Sequence, residues 1–94
     1  IIFFKNGIKG EKEDVLRQLL FDAQVDNAMI EHALAREKEY SSAVGKGVSF
    51  IGISEPLEKP FIVVGISREG IDFNAFDGLP VNIIIVFIGG KDKE

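Results

Sequence analysis

Residues 70–88 read GIDFNAFDGLPVNIIIVFI, and this stretch decides the fold that the sequence predicts. Its first half, 71–80, mixes aromatic residues with Asp, Asn, Gly and Pro, a composition typical of turns. Its second half, 81–88, is an almost unbroken run of Val, Ile and Phe, in which Asn82 is the only polar residue. A short β-branched run between turn residues predicts a strand buried on both faces of a sheet. Such a strand needs one layer of structure above it and another below it.

Two upstream stretches have the apolar spacing of amphipathic helices and can supply those layers. Gly10 is the predicted N-cap of the first helix, and Asp26 or Asn27 that of the second. The predicted buried stripes are Val15, Leu16, Leu19, Leu20 and Ala23 in the first helix, and Met29, Ile30, Ala33 and Leu34 in the second. The polar side of the second helix is predicted to carry Glu31, Arg36, Glu37, Lys38 and Glu39.

Three further apolar runs predict strands at 1–4, 48–53 and 61–66, separated from their neighbours by loops or turns at 40–47, 54–60 and 67–70. The predicted order is strand, helix, helix and then three strands. This order predicts an α/β fold with a mixed sheet of about four strands and helices packed on it. The length predicts one domain over residues 1–94, either complete or a fragment of a longer chain.

Composition argues against several classes of function. The net charge of −4 does not favour nucleic acid as a partner. The chain has no cysteine, which removes disulfides, thiolate metal sites and cysteine nucleophiles. Its longest apolar run, 83–88, is far shorter than a membrane-spanning helix. We therefore expect neither nucleic-acid binding nor insertion of this segment into a membrane.

The side chains that carry chemistry form no complete catalytic set in the sequence. The Gly45-Lys46-Gly47 loop is a candidate anion-binding loop, but it follows a helix and precedes a strand, whereas phosphate-cradling glycines follow a strand and open a helix. A structural turn is the favoured interpretation. His32 is the only histidine and is interpreted as a surface or boundary residue of the second helix. One histidine among scattered carboxylates does not predict a metal site, and no cofactor is expected.

The chain resembles the type-2 enzyme IIA domains of the bacterial phosphotransferase system, the fructose, mannitol and nitrogen-regulatory group. The segment at 30–37, IEHALARE, is similar to that family's "xxALxRE" helix end. The segment at 70–88 is similar to its "GIDFDALDGxPVxLVFLL" segment, and no gap is needed from residue 36 to residue 52. The resemblance covers nearly all of the chain and implies the α/β architecture described above.

The chain departs from the family at the residue that carries its chemistry. In the family, the strand after the glycine loop reads like "GIAIPH", and its histidine accepts the phosphoryl group. Ile51 stands where that proline is expected, and Gly52 stands where the histidine is expected. Gly52, Arg36 and Ser49 are thus the expected equivalents of a lost phosphoryl site, with no catalytic residue among them. Arg36 could contact an anion, but a structural ion pair is the favoured role.

Family members usually continue past this point with another histidine, a helix and further structure, so the C-terminal part is either shortened or missing. We expect a shortened domain to leave one face of the sheet uncovered for a partner. The resemblance implies a non-catalytic regulatory or binding domain, attached to or acting on a transporter or regulator of sugar or ion transport, and located in the cytoplasm. A protein partner is expected, and an oligomer is compatible with this. The alternatives are a phosphocarrier, with His32 as its acceptor, and a sensor of a small anion or nucleotide.

Overall fold

The computed structural model describes residues 2–54 and 59–89, which form two helices and five strands in one mixed sheet. The elements in chain order are β1 Ile2–Asn6, α1 Lys12–Asp22, α2 Asn27–Glu39, β2 Ala43–Gly45, β3 Val48–Ile53, β4 Phe61–Ile71 and β5 Val81–Ile88. The α/β class predicted from the sequence is confirmed. Parts of two predicted segments, the break at 54–60 and the charged C-terminal tail, lie outside the described residues.

β5 is the central strand of the sheet, whose order is β1-β4-β5-β3-β2. It pairs with β4 in the antiparallel direction and with β3 in the parallel direction. β1 pairs with β4 in the parallel direction, and the short β2 pairs with β3 in the antiparallel direction. The predicted bounds of β5 and of β3 are confirmed.

The prediction of about four strands was one too few, and a predicted turn proved to belong to a strand. β2 forms inside the predicted loop 40–47, because Gly45, Lys46 and Gly47 all have positive φ and turn the chain tightly back into β3. β4 runs through the predicted turn 67–70, and its register to β5 shifts between Ile66 and Ile71. The turn residues therefore form a bulge within the strand, where Gly70 adopts a φ of 88°.

Both helices pack on one face of the sheet and bury the stripes that their spacing predicted. The fully buried side chains of this layer include Leu16, Leu19, Leu20 and Ile30, which meet Val63, Ile84 and Val86 of the sheet in one core. Asp26 is the N-cap of α2, as predicted, whereas α1 begins one residue later than predicted, with Glu11 at its N-cap. Lys5 of β1 forms an ion pair with Asp22 at the end of α1 and ties the edge strand to the helix layer.

The prediction that β5 is buried on both faces is wrong for one of them. Its burial alternates along the strand, with Ile84 and Val86 buried beneath the helices and Ile83 37% exposed on the opposite side. The reason is that no described helix lies on the second face, although that face of β5 is equally apolar in sequence. Apolar composition alone cannot distinguish a strand that other elements cover on both faces of the sheet from a strand covered on one face.

A carboxylate from the loop before β5 anchors the turn between β2 and β3. Asp77 accepts hydrogen bonds from the backbone N–H of Lys46, at 2.8 Å, and of Leu79, at 3.1 Å. These two bonds, that from Lys46 first, lower the pKa of Asp77 below its ordinary value, because they stabilise the ionised carboxylate. The loop after β4 thereby holds the tight turn in place.

Substitution by alanine should change the stability of the protein in opposite directions at Gly65 in β4 and at Gly52 in β3. A Cβ on Gly65 would lie 2.8 Å from Cδ1 of Ile8 and 2.9 Å from Cδ2 of Leu19, whereas a Cβ on Gly52 would meet nothing within 4 Å. We expect Gly65→Ala to lower the free energy of unfolding by about 1–3 kcal/mol through overpacking. The matched Gly52→Ala variant should be neutral or more stable by up to about 1 kcal/mol, because alanine restricts the unfolded chain. Urea denaturation of both variants checks this, and equal losses would contradict it.

The Asp77 hydrogen bonds predict a specific pH dependence of stability. Because the pKa of Asp77 is lowered by folding, its contribution to stability is present above the unfolded pKa and is lost as the pH falls through the folded one. Between about pH 5 and pH 2, the wild type should therefore lose stability more steeply than Asp77→Asn, which has no carboxylate to protonate. Denaturation midpoints over this range measure the slopes. The difference should persist in about 0.5 M NaCl, because short hydrogen bonds are screened less than long-range charge effects; equal slopes would contradict the prediction.

Candidate functional site

A small cleft lies where the last turn of α2 meets the C-terminal end of β3. Its volume is about 120 Å³. Its walls come from α2, from the segment that enters β2 and from β3, with the lining residues Ala33, Arg36, Glu37, Tyr40, Ser41, Ser42, Phe50, Ile51 and Gly52. The cleft therefore contains two of the residues that the resemblance marked as equivalents of a phosphoryl site, Arg36 and Gly52.

Arg36 and Gly52 are in direct contact in this cleft. The Arg36 guanidinium donates a hydrogen bond from Nη1 to the carbonyl oxygen of Gly52, with a distance of 3.1 Å. Arg36 was predicted to form an ion pair with a carboxylate. In the structure its guanidinium instead contacts the backbone of β3. Gly52 is exposed, and the space around its Cα is open. No positive φ and no close neighbour requires glycine at this position.

Glu37 is buried in the wall of the cleft, which corrects its predicted place on the polar side of α2. Its side chain is 6% exposed, and Oε2 accepts hydrogen bonds from the Ser42 backbone N–H, at 2.8 Å, and from Nζ of Lys12, at 3.4 Å. Residue 37 follows Ile30 by two turns and Ala33 by one, so it continues the apolar stripe. The helical spacing of residue 37 therefore indicated that its side chain is buried. The prediction placed it on the polar side because it is charged.

The serines around the cleft are bonded within the fold. Ser49 is fully buried and shares a hydrogen bond of 2.6 Å with the hydroxyl of Ser42. Ser41 donates from its hydroxyl to the carbonyl oxygen of Phe73, also at 2.6 Å. Ser49 does not line the cleft, although the resemblance grouped it with Gly52 and Arg36. These hydroxyls hold β2, β3 and the 72–80 loop together.

The Gly45-Lys46-Gly47 loop lies at the opposite end of β3 from the cleft. β3 starts at Val48, so Gly47 and Gly52 are separated by five residues of extended chain, roughly 16 Å. The Lys46 N–H, which an anion-binding loop would offer, donates to Asp77. The Gly47 carbonyl accepts from the N–H groups of Asn82 and Ile83 and so joins the loop to β5. The two predicted groups of site residues therefore do not form one site.

His32 lines a second, more open hollow beside the first cleft. This hollow has a volume of about 520 Å³ and is lined by Asp26, Ala28, Met29, His32, Arg36, Ile53 and Ser54. His32 is exposed, as predicted for a surface or boundary residue. Arg36 lines both spaces, which places the only histidine of the chain one helical turn from the arginine that contacts Gly52.

Neither a metal site nor a membrane-spanning helix is found in the part of the chain that the structure describes. Within residues 2–54 and 59–89, no group of three or more His, Cys, Asp or Glu side chains converges as metal ligands would. No helix in these ranges combines the length and the apolar composition needed to cross a bilayer.

The chain is similar in sequence to proteins of one known family. The profile of the family described as "Phosphoenolpyruvate-dependent sugar phosphotransferase system, EIIA 2" matches residues 2–94. The chain is 30% identical over 87 residues to the "PTS system fructose-specific EIIA component" of Haloferax volcanii, an alignment that spans 80% of this chain and 56% of that protein.

A solved structure shares the fold. The crystal structure of nitrogen regulatory protein IIA-Ntr from Neisseria meningitidis superposes with a TM-score of 0.75 at 24% identity, over 97% of this chain and 66% of that one. The chain thus spans between about half and two thirds of the length of these two proteins. With the family profile matched from residue 2 to residue 94, the chain belongs to the EIIA type-2 family of the phosphoenolpyruvate-dependent sugar phosphotransferase system.

Proposed function

We propose that this domain regulates by binding a protein partner and does not carry a phosphoryl group. The proposal rests on Gly52, which the sequence resemblance aligns with the acceptor histidine of the family motif. Phosphoryl transfer to a carrier needs a side-chain nucleophile that attacks phosphorus while the bond to the donor breaks. A glycine offers no such atom, and its exposed surroundings contain space where the imidazole would lie.

Four of the other residues that line the cleft have their polar groups bonded within the fold. The hydroxyls of Ser41 and Ser42 are hydrogen-bonded within the fold, and the Glu37 carboxylate is bonded to Lys12 and to the Ser42 backbone. The Arg36 guanidinium donates to the Gly52 carbonyl oxygen. The cleft keeps its shape without a reacting group, which suits a surface that a partner protein recognises. We infer a parent or partner of the transporter or transport-regulator type in the cytoplasm.

A phosphocarrier that uses His32 is the second candidate function, and one contact pattern favours it. His32 and Arg36 line the same hollow, and Arg36 reaches the strand end that carries Gly52. A phosphoryl group on His32 would thus have a guanidinium within the same hollow to offset its charge. Against this candidate, His32 stands on α2 and not at the strand end where the family places its acceptor.

A labelling experiment separates these candidates. The protein is incubated with radiolabelled phosphoenolpyruvate and the general phosphotransferase proteins, beside an enzyme IIA domain that retains its acceptor histidine. We expect the acceptor-bearing domain to be labelled and this protein to stay unlabelled. Acid-labile phosphate on this protein would overturn the proposal. Loss of that label in His32→Gln would then identify His32 as the acceptor and establish the phosphocarrier function.

Restoring the histidine tests whether only the nucleophile has been lost. Gly52→His places an imidazole in open space at the end of β3, where the backbone carbonyl of residue 52 accepts from Arg36, so the variant should fold with wild-type stability. We expect weak labelling, below that of the acceptor-bearing domain, because none of the described residues comes within 4 Å of a Cβ at position 52, where a partner could hold the imidazole in one tautomer. The matched control is Val44→His, which puts the same side chain at an exposed strand position that lines neither the cleft nor the hollow and should stay unlabelled. Equal labelling of the two variants would show that residue 52 is not the acceptor position.

A further inference from the structure

The last residue of β1, Asn6, is the only asparagine of the chain that a glycine follows. Asn6 and Gly7 are both exposed. The side-chain oxygen Oδ1 of Asn6 accepts a hydrogen bond of 2.8 Å from the backbone N–H of Gly7. Because Cγ of Asn6 is bonded to that oxygen, the contact keeps an electrophilic carbon beside a backbone nitrogen that can attack it.

Gly7 leaves its own nitrogen accessible for this attack. It has a φ of 78°, which glycine adopts without strain, and a Cβ at this position would meet nothing within 4 Å. The register of β1 with β4 ends at Asn6, and the Gly7 N–H donates to the Asn6 side chain. The next amide, that of Ile8, donates to the carbonyl oxygen of Ile66 in β4. The nitrogen of residue 7 thus lies between two points of attachment to the sheet.

The other asparagines are placed in ways that oppose the same reaction. Asn82 donates from its side-chain amide, and the following Ile83 from its backbone N–H, to backbone carbonyl oxygens elsewhere in the fold. Asn27 and Asn74 each precede an alanine, whose methyl group crowds the attacking nitrogen in a way that glycine does not. Reactivity should therefore concentrate at residue 6.

The single aspartate–glycine pair, Asp77–Gly78, is also protected. Ring closure at an aspartate needs the protonated carboxyl, because an ionised carboxylate is a poor electrophile. The hydrogen bonds that Asp77 accepts from two backbone amides lower its pKa and keep it ionised. The Gly78 N–H donates to the carbonyl oxygen of Ala75, at 3.0 Å, and not to the Asp77 side chain.

We infer that Asn6–Gly7 is a site of spontaneous deamidation in the folded protein. The Gly7 nitrogen attacks Cγ of Asn6, the bond from Cγ to Nδ2 breaks, and Nδ2 leaves as ammonia with the proton of the Gly7 N–H. The product is a succinimide ring. Water then adds to one of the two ring carbonyl carbons and breaks its bond to the ring nitrogen, which leaves aspartate or isoaspartate at position 6. The only co-reactant is water.

Isoaspartate would lengthen the main chain by one methylene where β1 leads into the core. Ile8, two residues later, is buried, and a Cβ on Gly65 would lie only 2.8 Å from its Cδ1. The Ile8 N–H also donates to the carbonyl oxygen of Ile66, at 3.0 Å. Because this packing fixes the length of chain between β1 and Ile8, the isoaspartate form should be less stable than the aspartate form, which adds a charge on an ordinary backbone.

Ageing of the 94-residue chain at neutral pH tests the inference. Isoelectric focusing should show a growing species with one added carboxylate, so that the net charge changes from −4 to −5. Mass spectrometry of proteolytic peptides should locate the conversion at residue 6. The control Asn6→Gln must close a larger ring and should convert at least about tenfold more slowly at this position. Asn74, which is exposed and precedes alanine, is the internal control and should also be at least about tenfold slower.

Ageing in urea shows whether the fold leaves the site reactive. The rate at Asn6 in the folded chain should stay within about tenfold of the rate in the unfolded chain, because the site is exposed and its nitrogen lies outside the strand register. Suppression on folding by more than about tenfold, conversion of Asn74 as fast as that of Asn6, or an unchanged rate in Asn6→Gln would each overturn the inference.

The effect on stability is measured on the separated products. The isoaspartate form should have a lower urea midpoint than freshly prepared Asn6→Asp, which carries the same charge without the extra methylene. Equal midpoints would overturn the proposed effect on the packing of Ile8. None of these results depends on phosphoryl labelling, so this inference and the proposed function can fail separately.

Discussion

The constraint on which the rest of the structure depends is the double pairing of β5, antiparallel to β4 and parallel to β3. Parallel pairing aligns residues 48–53 with residues 83–88, which brings the ends of β3 and β5 to the same edge of the sheet. The glycine turn before β3 must then lie at the start of β5, where Gly47 accepts from two β5 amides. The register of one strand thus fixes where the cleft and the turn lie, and it keeps them apart.

The helix layer is attached to this sheet by apolar packing and by one buried carboxylate. Glu37 joins α2 to α1 through Lys12 and to the start of β2 through the Ser42 amide. Burial of a charge is costly unless its hydrogen bonds are made, and here they are. Within the described residues, no buried side-chain nitrogen or oxygen lacks a partner. The buried polar side-chain groups of the cleft wall are therefore all hydrogen-bonded.

Sequence patterns predicted the parts of this fold that depend on local chemistry. The bounds of Val81–Ile88 were correct because turn residues flank its apolar run, and the helix stripes were correct because apolar periodicity reflects which side of a helix is buried. β2 and the bulge in β4 were missed because turn residues can also sit inside a paired strand, and only long-range pairing decides between these outcomes. In the site, Arg36 and Gly52 were brought together as the family motif implied. Glu37 was misplaced because its charge outweighed its position on the stripe, and the separation of the Gly45–Gly47 loop from the cleft follows from topology alone.

The open surroundings of Gly52 have a consequence for which side chains residue 52 can carry. A residue whose Cβ meets nothing and whose backbone is ordinary extended chain can be exchanged without moving the fold toward its stability threshold. Variants with different side chains at residue 52 should therefore have the same melting temperature, so a difference between them in activity or binding would not come from a difference in folding.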